Sequence, residues 1–307
     1  MKRTAACLFL ALVGTVGCAT DDGDDGDVEV PVGETKADGS AQIQVRPGVK
    51  RTLTFTTTSK PVDVSVNCGI SANPDVVGTV FTVKSAPLGL SSASDPVAGY
   101  WQWSGKLTAG QKKIEITGVS GTATCEVSVT SFTASCSSST SFHAVETNHT
   151  HLEVGTQVPT WGDFPASGNH WGAWSKWDTT YTKPVKRGFY LHNLEHGGVV
   201  LSYGCSSPTE SAECAEAAAN LQALKDASGE TRVIITPDPE QPALYGVRAW
   251  RFGMLADCYD EGRLLDFLGG TIRHGREDID ANPPIPYDPT TLDVDCHNLF
   301  AAPDSCN

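Results

Sequence analysis

The stretch "FYLHNLEHGGVVLSYGC", residues 189–205, decides how the second half of the chain is read. It sets His192, Glu195 and His196 close together, then Gly197 and Gly198, then an apolar run from Val199. On a continuous helix the two histidines and the glutamate would share a face, because residues three and four apart stack. The residues after His196 oppose a long helix. Each glycine in a helix interior costs about 1 kcal/mol relative to alanine. Val199, Val200 and Leu201 favour a strand. The expectation is at most one helical turn closed by a glycine, or an extended segment that bends there. Either way the segment enters a strand.

Working outward, "SAECAEAAANLQALKDASGE" reads as a helix with Ser211 as cap and Gly229 at its end. "RVIITPD" and "YGVRAWRFGMLAD" read as one strand each, and "DEGRLLDFLGGTIRHG" as a helix capped by Asp260. The order β-α-β-β-α predicts an α+β domain, a small sheet with its helices on one face. A Pro-rich tail comes after it, stapled by Cys296 and Cys306.

Before residue 143 the composition changes. "AQIQVRP", "KRTLTFTTT", "VDVSVNC", "GTVFTVKS", "YWQWSGKL", "KKIEITGV" and "ATCEVSVTSF" alternate polar and apolar residues between turn residues. These short strands predict an antiparallel β-sandwich over residues 41–133, similar in pattern to the pre-peptidase C-terminal-type sandwiches of secreted bacterial proteins. Cys68 and Cys125 are expected to pair across it. "YWQW" reads as core packing, with a sugar-stacking patch as the alternative. Residues 134–142, rich in Ser and Thr, read as a linker, and 143–307 as the His-rich second domain.

The first residues read as an export signal, 1–18: Lys2 and Arg3, then an apolar stretch too short for a permanent membrane span. "TVGC" resembles a lipobox, which would lipidate Cys18; ordinary cleavage after Ala19 is the alternative. Residues 21–40 carry eight acids and one lysine, half of the chain's net charge of −14. Such a segment buries no core, so 19–40 reads as an acidic, disordered tether. The acidic balance argues against nucleic acid as a partner. With Cys7 and Cys18 set aside, eight cysteines remain, an even number that suits disulfides in an oxidising compartment. The expected place is the periplasm, outer membrane or cell surface, with the membrane touched only through the lipid anchor.

Histidines carry the chemistry. His149 and His151 sit two apart, so a strand would place both on one side. His170 lies in a loop with Trp161, Trp171, Trp174 and Trp177 nearby, either a core-filling lid or a wall that dries a site. His151, His170, His192 and His196 are the expected metal ligands. Nitrogen donors of this kind suit zinc or copper. Glu195 would be a weak ligand, a partner orienting an imidazole, or a base acting on bound water. His143, His274 and His297 read as ordinary surface or turn residues, and Met254 as core, with a soft copper ligand as the alternative. H-x-x-E-H is also the spelling of the inverted zinc peptidases, but those carry it on a long helix; the glycines make that likeness accidental.

A wider set of motifs runs through residues 149–277. Pro165, Ser167, Gly168 and His170 form a Ser-Gly-x-His loop. His192, Leu194, Glu195, His196 and Gly197 run into Val199, Val200 and Tyr203. Ala249 and Trp250 come next, then Gly275, Arg276 and Glu277. In these motifs the chain resembles the bacterial family known as domain of unknown function 3105, with Arg251 where Gly is usual and Arg276 where Pro is usual. The resemblance implies that the histidines form the family's shared site, and it implies no activity. Three functions remain open: a surface-tethered binder of zinc or copper; a metal-dependent hydrolase or oxidase with Glu195 as base; and a non-catalytic module for cell-envelope sugars or proteins.

Overall fold

The computed structural model describes residues 27–29, 38–57, 61–69, 78–90, 96–131, 138–145, 148–158, 164–281 and 288–291. The signal segment, Cys18, Cys136, Trp161, His297 and the tail cysteines lie outside the described residues. Of the span read as a tether, Asp27–Glu29 forms strand β1 and Asp38 already begins β2.

The sandwich strands are β2 (Asp38–Val45), β3 (Lys50–Thr57), β4 (Pro61–Asn67), β5 (Val80–Lys84), β6 (Val97–Lys106), β7 (Gly110–Ser120) and β8 (Ala123–Ser131). All seven expected strands are present. One sheet runs β1-β3-β7-β5; the other begins β2-β8-β4-β6. β6 belongs to both: Val97 and Ala98 pair with β5, and residues from Tyr100 onward pair with β4. Between them Gly99 has φ 69°, which lets the strand bend from one sheet to the other.

Alternation puts Val62, Val64 and Val66 inward against Leu53, Phe55, Phe81, Ile114, Ile116, Val127 and Val129. Each such side chain contributes roughly 1.5–3 kcal/mol on burial. Trp101 and Trp103 point into the same core, so they are no exposed stacking patch. Cys68 and Cys125 are joined, but within one sheet. Asn67 faces Glu126 on the neighbouring strand, which puts the cysteines side by side rather than across the sandwich.

The described part of the expected linker, from residue 138, lies in a strand. Ser138–Ala144 forms β9, which pairs antiparallel with β6 on one side and with β16 (Phe252–Ala256) on the other. The second sheet of the sandwich therefore continues β6-β9-β16-β15-β13-β14-β12. Here β15 is Tyr245–Ala249, β13 Val199–Tyr203, β14 Val233–Pro237 and β12 Thr179–Thr180. Arg263, on the final helix, also reaches Asp63 of β4 at 2.8 Å.

Two further expectations change. "YGVRAWRFGMLAD" is a hairpin, β15 and β16, turning at Trp250 and Arg251, whose φ is 67°. The helices also cover both faces of the sheet. Val199, Leu201 and Tyr203 face α2 (Ala212–Ser228) and α3 (Glu261–Thr271), whereas Val200 and Ile234 share a cluster with Phe189, Leu191 and Leu194 of α1 (Arg187–Glu195). Every residue of β13 is buried. A strand apolar on successive positions needs cover on both sides.

Candidate metal centre

Helix α1 is longer than one turn because Phe189–Leu194 are helical before the glycines are reached. Gly197 and Gly198 stand outside it and close it. Gly198 N–H donates to Asn193 O and Gly197 N–H to Leu194 O, with Gly197 at φ 77°. This is the Schellman arrangement, which needs a left-handed residue where Gly197 sits. The glycines thus carry no helix-interior penalty, and His192, Glu195 and the capping His196 come to the helix end together.

The other histidines arrive on two short strands. β10 (His151–Leu152) and β11 (His170–Trp171) pair in parallel, with His151 opposite His170. β11 packs beside α1, where Gly188 leaves room for Trp171: an added Cβ would lie 2.2 Å from the indole.

His151, His170, His192 and Glu195 form a group that could hold a metal ion, their donor atoms all within 4.8 Å of one another. Glu195 Oε2 lies 3.0 Å from His151 Nε2 and 2.9 Å from His170 Nε2. His170 Nδ1 donates to Gly168 O at 2.9 Å, and His192 Nδ1 to Trp171 O at 2.6 Å. Each bond uses the Nδ1 proton and leaves Nε2 to face the group. Tying the far nitrogen to a carbonyl is how metal-ligating imidazoles are commonly oriented. His192 Nε2 is buried with no hydrogen-bond partner. Three members are buried; the His151 side chain is half exposed and gives the group a solvent side.

Burial also sets the electrostatics. It lowers the His192 pKa to about 3, and His170 and His196 push it the same way. Such an imidazole is neutral, with its lone pair available. Burial alone would raise the Glu195 carboxyl, but hydrogen bonds and charge from His170 and His151 outweigh it and bring the pKa down to about 2.

Three of the four expected ligands are thus brought together, and Glu195 rather than His196 completes the group. His196 caps the helix, and its ring stacks on His192 at 4.6 Å and lies 4.6 Å from Trp174. Its Nδ1 is 3.6 Å from Glu277 Oε2. Trp174 also lies 4.7 Å from His192, Trp250 lies edge-on to His170, and Trp171 and Trp177 fill the core behind. The aromatic residues therefore both pack the domain and wall the group. Met254 is core on the opposite face of the sheet. His274 is exposed, while His143 is buried and stacked on Phe252. Glu277 belongs to the closing Gly-Arg-Glu motif, but its place beside His196 is visible only in the structure.

Residues 151–282 match the family described as Protein of unknown function (DUF3105). The match falls on the part of the chain that carries the histidine motifs. The match covers His151, His170, His192 and Glu195. No curated protein matches the chain. Among solved structures, the pre-peptidase C-terminal domain of a Bacillus anthracis collagenase is 15% identical, with 36% of this chain and 99% of that chain covered, at a TM-score of 0.25. PliG of Aeromonas hydrophila, a periplasmic lysozyme inhibitor of g-type lysozyme, is 18% identical over 35% of this chain and 98% of its own, at a TM-score of 0.24. A PliG mutant from Escherichia coli is 13% identical over 34% and 96%, at a TM-score of 0.20. At such TM-scores these likenesses carry no argument.

Proposed function

We propose that this is an exported protein whose second domain binds a transition metal, zinc or copper, through His151, His170, His192 and Glu195. The observation that carries the proposal is the orientation of His170 and His192. Each commits its Nδ1–H to a backbone carbonyl and leaves Nε2 on the side of the group that includes the Glu195 carboxylate. Without a cation, His192 Nε2 is a buried lone pair with no partner, an arrangement that folded proteins rarely keep without a use. Three imidazoles and a carboxylate form a donor set that suits zinc or copper(II). Disulfides at Cys68–Cys125 and Cys205–Cys214 support export to an oxidising compartment. Among the described residues no helix is long and apolar enough to cross a membrane. We take Cys18 as the lipidated residue that holds the chain to a membrane surface.

The test is elemental analysis of purified protein after chelator treatment and reloading. Stoichiometric metal in the wild type and loss in His192→Ala support the reading; equal metal content in both sinks it. The half-exposed His151 leaves a side on which a small molecule can reach the metal, so a hydrolase or oxidase is the second reading. It requires turnover that disappears with the metal.

A further inference from the structure

A single ion among His151, His170, His192 and Glu195 satisfies His192 Nε2 but leaves His196 unexplained. His196 is 3% exposed, and neither of its ring nitrogens has a hydrogen-bond partner. A neutral imidazole carries one N–H and one lone pair. Burying both unpaired carries the full desolvation cost of each group. The ring is held beside the first group, stacked on His192 with centroids 4.6 Å apart.

The neighbouring carboxylate is also built in. Glu277 N–H donates to Glu195 O at 2.9 Å, and Arg273 N–H to Gly197 O at 2.8 Å, so the turn after α3 is tied to the end of α1. Between these bonds Gly275 packs so closely that a Cβ would lie 2.2 Å from Gly197 N. This junction brings Glu277 Oε2 to 3.6 Å from His196 Nδ1. That is too long for a hydrogen bond. It is close to the separation of about 3.3 Å between two ligands of one tetrahedral ion with bonds near 2.0–2.1 Å. Glu277 is half exposed, so water can complete a coordination shell on that side.

We infer that His196 and Glu277 form a second cation position beside the first, making the centre a two-metal one with an inner buried ion and an outer, solvent-facing ion. The inference rests on the proposed function. Glu195 lies in the first group and adjoins His196 in sequence. It is the carboxylate placed to be shared, as carboxylates are in paired metal sites. The outer ion has two protein ligands beyond any shared carboxylate and is the weaker and more readily exchanged.

The experiment is titration of the chelator-stripped full chain with zinc, read by calorimetry and by elemental analysis after dialysis. The wild type is expected to take a tight first equivalent and a weaker second. Glu277→Gln changes a half-exposed side chain and so leaves folding intact; it should lose the second equivalent and keep the first. His196→Ala should do the same, with a thermal melt to check its fold. A wild type that saturates at one equivalent overturns the inference and leaves the proposed function standing. No equivalent at all overturns both. Two equivalents that survive in both variants overturn the assignment to His196 and Glu277.

Discussion

Replacing Glu195 with glutamine tests the site at its centre, because the carboxylate does different work with and without metal. In the metal-free chain Glu195 Oε2 accepts from His151 Nε2 and His170 Nε2. Its pKa stands at about 2 against an ordinary 4.5. At about 1.4 kcal/mol per unit, that difference corresponds to roughly 3 kcal/mol of folding free energy. The His151 bond is half exposed, and solvent weakens it. Glutamine also keeps a neutral acceptor, worth about half of a charge-assisted one. The expected loss in Glu195→Gln is therefore about 2 kcal/mol at neutral pH.

The depressed folded-state value fixes the sign with pH. The carboxylate's contribution is fully present above about 4.5 and is lost as pH falls toward 2. The assay is urea unfolding of chelator-stripped protein, followed by tryptophan fluorescence at pH 7, 5 and 3. The difference between wild type and variant should hold from pH 7 to 5 and shrink at 3. With metal present the variant loses its only anionic ligand in the group, and affinity should fall at least about tenfold. Metal-free curves that superimpose at pH 7 would refute the reasoning, because the two histidines would then not be donating to Glu195.

Other expectations are narrower. Gly188→Ala drives a Cβ into Trp171, whose carbonyl orients His192; it should cost about 1–3 kcal/mol of stability and weaken metal binding together, by melts and by zinc titration. Gly275→Ala meets backbone at 2.2 and 2.3 Å, so the turn must move away from α1; unfolding free energy should fall by more than about 1 kcal/mol, and the outer zinc equivalent should go with it. Burial beside Arg251 lowers the His143 pKa to about 3 from an ordinary 6.5. The unfolded chain therefore binds the extra proton first, and stability falls as pH drops from 6.5 toward 3, by up to about 1.4 kcal/mol per pH unit from this residue. His143→Phe should flatten that slope in denaturant titrations across the range.

The sandwich was legible because its strands bury one face. In "VDVSVN" the alternation names the inward residues one by one, and Val62, Val64 and Val66 are those in the core. The second domain was harder because its signals overlap. Val199–Tyr203 is buried on every position, so its pattern does not say how many faces carry helices. Gly197 and Gly198 look like helix breakers, when their role is to cap a helix whose body lies upstream. "YGVRAWRFGMLAD" has no turn residue of the usual kind where it turns, at Trp250 and Arg251; Arg251 adopts the left-handed conformation that Gly would take more easily. His170 and His192 stand out by residue type alone. Their orientation depends on Gly168 O and Trp171 O, which no side-chain pattern encodes.

The sequence spelling H-x-x-E-H misleads in one direction and informs in another. On α1 it does put His192, Glu195 and His196 on one helix end, but the helix stops where a peptidase's would continue. The cap turns the backbone into β13, and the ring of His196 is left at the junction with the turn after α3. His192 and Glu195 therefore look toward β10 and β11, while His196 looks toward Glu277. One short motif is thus divided between two neighbourhoods, an inner one closed by strands and an outer one closed by a turn. That division depends on Gly197: with a β-carbon there, only 3.0 Å from Arg273 Cα, neither the cap nor the contact with the turn would form as it does. The glycine that looked like an argument against a metal helix is what gives the two histidines different partners.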